Sequence, residues 1–335
     1  MHSTRSPPSS KRSSTRAPGR PVAAPESTLQ PAASSLSTPP AARRFAWLGD
    51  RGLAGLFITP AIALLLFLSI FPLLWALYLS FTDYSATRDV PATWIWFDNY
   101  VDLLTSDEVH QRAVTTAIYV IGAVGLQTVV GFSIAYLISR RIRGRGVMTT
   151  LFLTPMMLSP VVVGLFWKFM LDAQFGVINS FLNTLGLGSV EWLTNQRLAL
   201  LSVVLVDTWQ WTPFIMLIAL AGLTAVPAYL YEAAEIDRAS EWFRFRRITL
   251  PLVWPLLLIA VLFRAIEAFR LFDLVYILTN GGPGVATETL SFHVYKVAFL
   301  GFDTGRASAY GILMVLVVIV LAQFYLRYLN RLQER

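Results

Sequence analysis

The chain has 335 residues, of which 55% are hydrophobic and 14% charged, with a formal net charge of +7 and no cysteine. Its mean hydropathy is +0.58, whereas soluble domains carry about 25% charged residues, so the chain belongs to the membrane class. Disulfides, thiolate metal sites and cysteine nucleophiles are excluded, His2, His110 and His293 have no metal-ligand spacing, and the basic residues alternate by loop instead of forming a nucleic-acid patch.

Residues 1–44 are rich in Ser, Pro, Ala and Arg and nearly devoid of large apolar side chains. Such a segment cannot bury enough surface to offset its chain entropy and reads as a disordered tail, basic enough to lie against anionic lipid. An organelle transit peptide is the alternative; a secretory signal lacks its apolar core.

The rest, residues 45–335, reads as one all-α polytopic membrane domain. Six apolar stretches follow, at 53–81, 113–139, 147–169, 198–224, 252–278 and 307–329. A spanning helix needs about 20 residues, so each is long enough. Pro60 and Pro72 predict a bend or tilt in the first, and Pro155, Pro160 and Pro213 also fall inside spans. Lys and Arg set the orientation: nineteen lie in the two termini and the loops sharing their side, against six in the alternate loops. Both termini are therefore expected in the cytoplasm. Trp94 and Trp96 suit the opposite interface.

Intramembrane polar groups come next along the chain. Asp207, Gln210 and Trp211 share one face of the fourth span. A carboxylate, an amide and an indole can grip the edge and face of a hydroxylated ring. The bland alternative is an Asp paired with Arg264 or Arg270 beside packing tryptophans. In the fifth span Arg264, Glu267, Arg270 and Asp273 recur every three residues, where neighbours on a helix can pair. Each charge costs about 2.5–3.5 kcal/mol at a bilayer centre. They are expected to face the bundle interior or a water-filled path, as a structural ladder, a path lining or both. Glu267 and Arg270 are assigned with Asp207, Gln210 and Trp211 to a substrate path, Arg264 and Asp273 to charge neutralisation; Glu267 is expected to shield a buried Arg. Gly131-x-x-x-Ala135 and Ala307-x-x-x-Gly311 mark close helix contacts.

Between the fourth and fifth spans lies a polar segment of about 225–251. Pro227 suits a first helical turn, Glu232 and Glu235 follow early, and Arg244, Arg246 and Arg247 come late. Ala233 and Ala234 would leave a flat face that another protein could approach. From these residues alone, docking and a solvated loop without partner stand equal.

Glu232-Ala233-Ala234, Asp237-x-Ala239 and Ile248-x-Leu250-Pro251 resemble the EAA loop of binding-protein-dependent ABC importer permeases. Residues 263–273, the run Leu278-Thr279-Asn280-Gly281-Gly282-Pro283-Gly284, Thr287-Glu288-Thr289-Leu290 and Trp209–Phe214 resemble the carbohydrate branch, the maltose, trehalose and glycerol-phosphate type. The resemblance runs from about residue 50 to the end. It implies a type I importer permease fold in a bacterial plasma membrane. It also implies a second homologous permease as heterodimer partner, two ATPase subunits carrying ATP and Mg, and an extracytoplasmic sugar-binding protein. Glu232, Ala233, Ala234, Glu235, Asp237, Arg238 and Ala239 would couple to the ATPase. Arg238 stands where the family has Gly, which predicts a continuous helix or an altered bend. The chain has no phosphate-binding loop of its own and no reactive cluster, so it holds no cofactor or metal and is not an enzyme. A secondary transporter or channel is the rival reading; it would work without an ATPase and would not need the 225–251 segment. A membrane enzyme would need a reactive cluster that is not visible.

Overall fold

The computed structural model describes residues 50–140 and 144–333. The expectations for the 1–44 tail and for Arg141 and Arg143 lie outside the described residues. The chain divides into two units, Met1–Leu64 and Leu65–Arg335. Of the first, only the start of helix α1 (Asp50–Leu79) is described; the second, from Leu65 onward, holds all the elements that follow. Among the described residues the regular elements are all helices, joined by turns and loops, with one isolated bridge between Thr82 and Trp94.

Among the described residues five helices are long and apolar enough to cross a membrane: Gly55–Leu79, Asp107–Ser139, Gln196–Ala225, Glu241–Phe269 and Thr304–Arg331. The first is apolar all round and 6% buried, as expected of a helix bathed in lipid or awaiting another subunit. It is one helix through Pro60 and Pro72. The central helix is α7 (Gln196–Ala225), two-thirds buried. Helix α3 (Asp107–Ser139) packs along it, at Gly131 closely enough that a Cβ would lie 3.0 Å from the Thr212 carbonyl oxygen. The paired small residues Gly131 and Ala135 are both buried in that contact, whereas Gly311 has open space around its Cα.

The third expected span is broken. Helix α4 (Arg145–Leu153) runs through a 3-10 turn, Thr154–Met157, and α5 (Pro160–Met170) leaves at 95° to it. Pro160 has no N–H to donate backwards and pushes Ser159 into extended backbone, with ψ 139°. The fifth span also differs from the expectation of 252–278. It starts earlier, as α9 (Glu241–Arg244) passes through a π-helical turn, Phe245–Thr249, into α10 (Leu250–Phe269). It ends at Phe269, and α11 (Asp273–Leu278) is a separate short helix. The break places Arg270 at a helix C-terminus and Asp273 at a helix N-terminus, where each sign of charge is favoured by the backbone dipoles.

Shorter elements are α2 (Asp98–Thr105), α6 (Val177–Thr184), α8 (Ala228–Ile236) and α12 (Leu290–Tyr295), the last followed by a π-helical turn, Lys296–Leu300; α13 (Thr304–Gln333) holds the last span. The glycine-rich run before α12 is laced by hydroxyls: Thr287 Oγ1 donates to the Gly282 carbonyl at 2.8 Å, and Thr289 Oγ1 to that of Leu271 at 2.9 Å. Gly281 sits at φ +81°, and a Cβ there would meet the Phe292 ring at 2.7 Å, so only glycine fits.

Candidate functional site

Three helices meet at one buried polar knot. Asp207 of α7 and Arg264 of α10 form an ion pair at 2.5 Å, with side chains 2% and 4% exposed. Gln127 of α3, fully buried, closes the triangle. Its Nε2 donates to Asp207 Oδ2 at 2.7 Å, and its Oε1 accepts from Arg264 Nε at 2.9 Å. The guanidinium also lies over the Trp211 ring, 5.0 Å from its centroid. Every charge and most donors are thus satisfied inside the bundle, which is how ionised groups persist at this depth.

The assignment of Asp207 and Gln210 to a substrate path is revised by this geometry. Asp207 is consumed by Arg264 and Gln127. Gln210, 1% exposed, donates from Nε2 to the Leu158 carbonyl at 3.2 Å, satisfying an acceptor freed where the third span breaks. Trp211 and Glu267 behave differently. With Phe214, Ile218, Phe263 and Arg264 they line a cavity of about 470 Å³. Glu267 and Arg270 pair loosely at 4.0 Å and are two-thirds exposed; Arg270 is not part of the cavity wall. Asp273 is exposed in the first turn of α11. The four-charge ladder is therefore split: Arg264 pairs inward across helices, and the others sit around the end of α10. Gln127 was missed because a single amide in the apolar stretch 113–139 carries no partner signal of its own.

The segment between α7 and α10 forms an elbow. Pro227 caps α8, and after Ile236 the chain closes a Schellman turn: Arg238 N–H donates to the Glu235 carbonyl at 3.0 Å and Ala239 N–H to that of Ala234 at 2.9 Å. Arg238 occupies the left-handed position, with φ 51°. The chain thus makes a tight turn with Arg at this position and does not run on as one continuous helix. Ser240 caps α9 by accepting from the Phe243 N–H, and Tyr231 Oη lies 2.8 Å from Thr249 Oγ1 across the elbow. A non-glycine residue at positive φ costs about 1 kcal/mol or more. Arg238→Gly is therefore expected to raise the thermal midpoint slightly; a lowered midpoint would reveal a specific contact of the guanidinium.

Glu232, Ala233, Glu235, Asp237 and Arg238 are exposed, Ala239 half-buried and Ala234 buried. The flat alanine face expected of Ala233 and Ala234 thus reduces to Ala233. Large apolar side chains supply the rest: Tyr229, Ile236, Trp242 and Phe243 are all more than half exposed. A concavity of about 530 Å³ opens between α8 and α9, lined by Leu230, Ala233, Asp237 and Phe243 among others. An apolar patch rimmed by charge marks a surface for a partner protein, a membrane interface or a ligand groove.

A second buried charge cluster ties the far end of the bundle. Glu288, between α11 and α12, is 1% exposed. Its Oε1 accepts from Arg112 Nε at 3.3 Å and faces His293 Nδ1 at 2.5 Å, while Oε2 accepts from Lys296 Nζ at 2.9 Å. Burial alone would raise this carboxyl, but the His293 hydrogen bond, Lys296 and the Arg112 guanidinium outweigh it and hold the pKa at about 2. Glu288 is the lone acid between Asp273 and Asp303. That isolation among cations was the available signal, and it was read only as part of a family pattern. No group of three or more His, Asp or Glu side chains placed to hold a metal occurs among the described residues.

Residues 127–335 match the family model described as binding-protein-dependent transport system inner membrane component. The chain is 41% identical over 269 residues to the probable ABC transporter permease protein y4oQ of Sinorhizobium fredii, covering 79% of this chain and 85% of that one. It is 36% identical over 273 residues to the trehalose/maltose transport system permease protein MalF of Thermococcus litoralis, covering 81% and 92%. Among solved structures, a chain of a bacterial ABC transporter involved in the import of the acidic polysaccharide alginate superposes with a TM-score of 0.73 at 22% identity, covering 87% of this chain and 97% of that one. That likeness shows the fold, and the sequence matches carry the family: this chain belongs to the binding-protein-dependent transport system inner membrane components.

Proposed function

We propose that this chain is the permease subunit of an ATP-driven importer for a carbohydrate, pairing with a second homologous permease above two separate ATPase subunits. An extracytoplasmic binding protein hands over the sugar, and the chain performs no covalent chemistry. The observation that carries this reading is the elbow of α8 and α9, an exposed apolar and acidic surface rigidly joined to a membrane span. The relatives named for trehalose and maltose support a carbohydrate cargo. The lone, uncovered α1 supports a second permease in the membrane. The excess of Lys and Arg on the elbow's side supports a cytoplasmic position for both termini and the elbow.

Coupling then works as follows. The ATPase pair closes on ATP, the grooves that hold the elbows approach each other, and the rods from Glu241 to Phe269 carry that motion to the path. Trp211 and Glu267 contact the sugar on this chain's side; Arg264 and Asp207 fix the wall behind them. Glu232→Lys reverses the charge of an exposed docking residue, and Ala233→Trp adds bulk on the exposed face without disturbing buried Ala234. Each variant is expected to abolish uptake and ATPase co-purification, at least about tenfold, while the subunit stays in the membrane. Wild-type uptake by both would refute the docking role.

A further inference from the structure

Resting on the importer reading above, we infer that the sugar carried past this chain is uncharged: a neutral saccharide, not a uronate, sulfonate or phosphate ester. The cavity wall carries two charged residues, Arg264 and Glu267, among aromatic and aliphatic side chains. Arg264 is not free to bind an anion. Its Nη2 is held by Asp207 and its Nε by Gln127, and its flat face is covered by Trp211. Turning it towards an anionic sugar would strand a carboxylate that is 2% exposed. Arg270 is the next cation along the helix, and it is matched by Glu267 at 4.0 Å. With Asp273 also exposed near this end of α10, the acids Asp207, Glu267 and Asp273 outnumber the cations Arg264 and Arg270.

Anionic sugars are recognised by uncommitted guanidinium forks or ammonium groups. The cavity wall offers none; its other charge is the Glu267 carboxylate, only loosely paired with Arg270 at 4.0 Å and so still unfavourable to an anion. The same carboxylate accepts hydrogen bonds from sugar hydroxyls, and Trp211 with Phe214 and Phe263 supplies apolar faces for a pyranose ring.

The test uses the complete complex of both permeases and the ATPases in lipid nanodiscs, titrated with trehalose, maltose or digalacturonate while tryptophan emission is followed. A neutral disaccharide is expected to give a saturable change that is lost in Trp211→Phe, with an affinity at least about tenfold above that of digalacturonate, as like-charge juxtaposition requires. Glu267→Lys should narrow or invert that ratio by about tenfold, and Glu267→Gln should move it part of the way. Equal or tighter binding of digalacturonate by the unmodified complex would overturn the proposal, as would a ratio unmoved by Glu267→Lys. A neutral-sugar signal that survives in Trp211→Phe would remove the cavity as the site. Absence of any sugar-stimulated ATP hydrolysis, even with binding protein present, would instead overturn the importer reading and this proposal with it.

Discussion

Asp207→Ala is expected to destabilise the assembled protein by about 3–5 kcal/mol, the usual cost of removing one partner of a buried ion pair. The loss is large because Arg264 is 4% exposed and its Nη2 then has no acceptor among the packed helices. Gln127 cannot compensate: its Oε1 already accepts from Arg264 Nε. The measurement is the thermal midpoint of the complex in nanodiscs, with the monodisperse fraction after heating as a second readout. Asp207→Asn should lose less, since it keeps an acceptor. The double variant Asp207→Ala, Arg264→Leu should recover much of the loss, because it removes both charges together. Equal midpoints for Asp207→Ala and the unmodified protein would contradict the buried pair. Glu267→Ala is the contrasting case. The sequence suggested that Glu267 shields a buried arginine, but its partner Arg270 is 68% exposed in its side chain. An exposed pair contributes about 0–1 kcal/mol, so stability should barely change.

Glu288→Gln is expected to have the second-largest effect. The carboxylate is the common acceptor for Arg112, His293 and Lys296, which belong to α3, α12 and the turn that follows α12. Replacing it with an amide leaves three cationic or donor groups around a neutral acceptor at a site where the acid is 1% exposed, again a loss of about 3–5 kcal/mol. Its pH dependence identifies the cause. The folded-state pKa of about 2 lies below the ordinary value of 4.5. A depressed carboxyl contributes stability that is fully present above the unfolded pKa and is lost as pH falls through the folded one. The unmodified complex should therefore lose this contribution between about pH 4.5 and pH 2. Glu288→Gln should be less stable at neutral pH and lack that acid-side component. Parallel acid-side curves for the two proteins would show that Glu288 is not the group responsible.

How much of this was legible in the sequence depends on the length scale of each feature. The long apolar runs gave α1, α3, α7, the α9–α10 rod and α13, because a bilayer imposes one length on every span. The existence of the elbow segment was legible because a polar stretch between two apolar runs stands out from both. The shape of its turn was not readable: φ at Arg238 is held by two backbone hydrogen bonds, and those depend on the partners Ala234 and Glu235, not on the residue type. The break between α4 and α5 was also hidden. Pro155, Pro160 and Pro213 look alike in sequence, yet α7 continues through Pro213 while the chain turns at Pro160. The difference is tertiary, since Gln210 stands ready to take up the Leu158 carbonyl. The polar knot was half legible. Asp207 with Arg264 was one of the alternatives, but Gln127 lies 80 residues from Asp207 and 137 from Arg264, a distance over which one sequence carries no pairing signal.

The π-helical turn at Phe245–Thr249 sets a phase relation along the rod. A π turn accommodates one more residue than an α turn before the chain returns to the same azimuth. Each α-helical residue advances about 100° around the axis. The extra residue therefore offsets, by about that angle, the face presented by Glu241 and Trp242 from the face that an uninterrupted helix would align with Arg264. Orientation of the elbow and orientation of the knot are thereby tuned separately on a single continuous element. The rod behaves as an indexed shaft, whose two ends can each meet a different neighbour without a hinge between them.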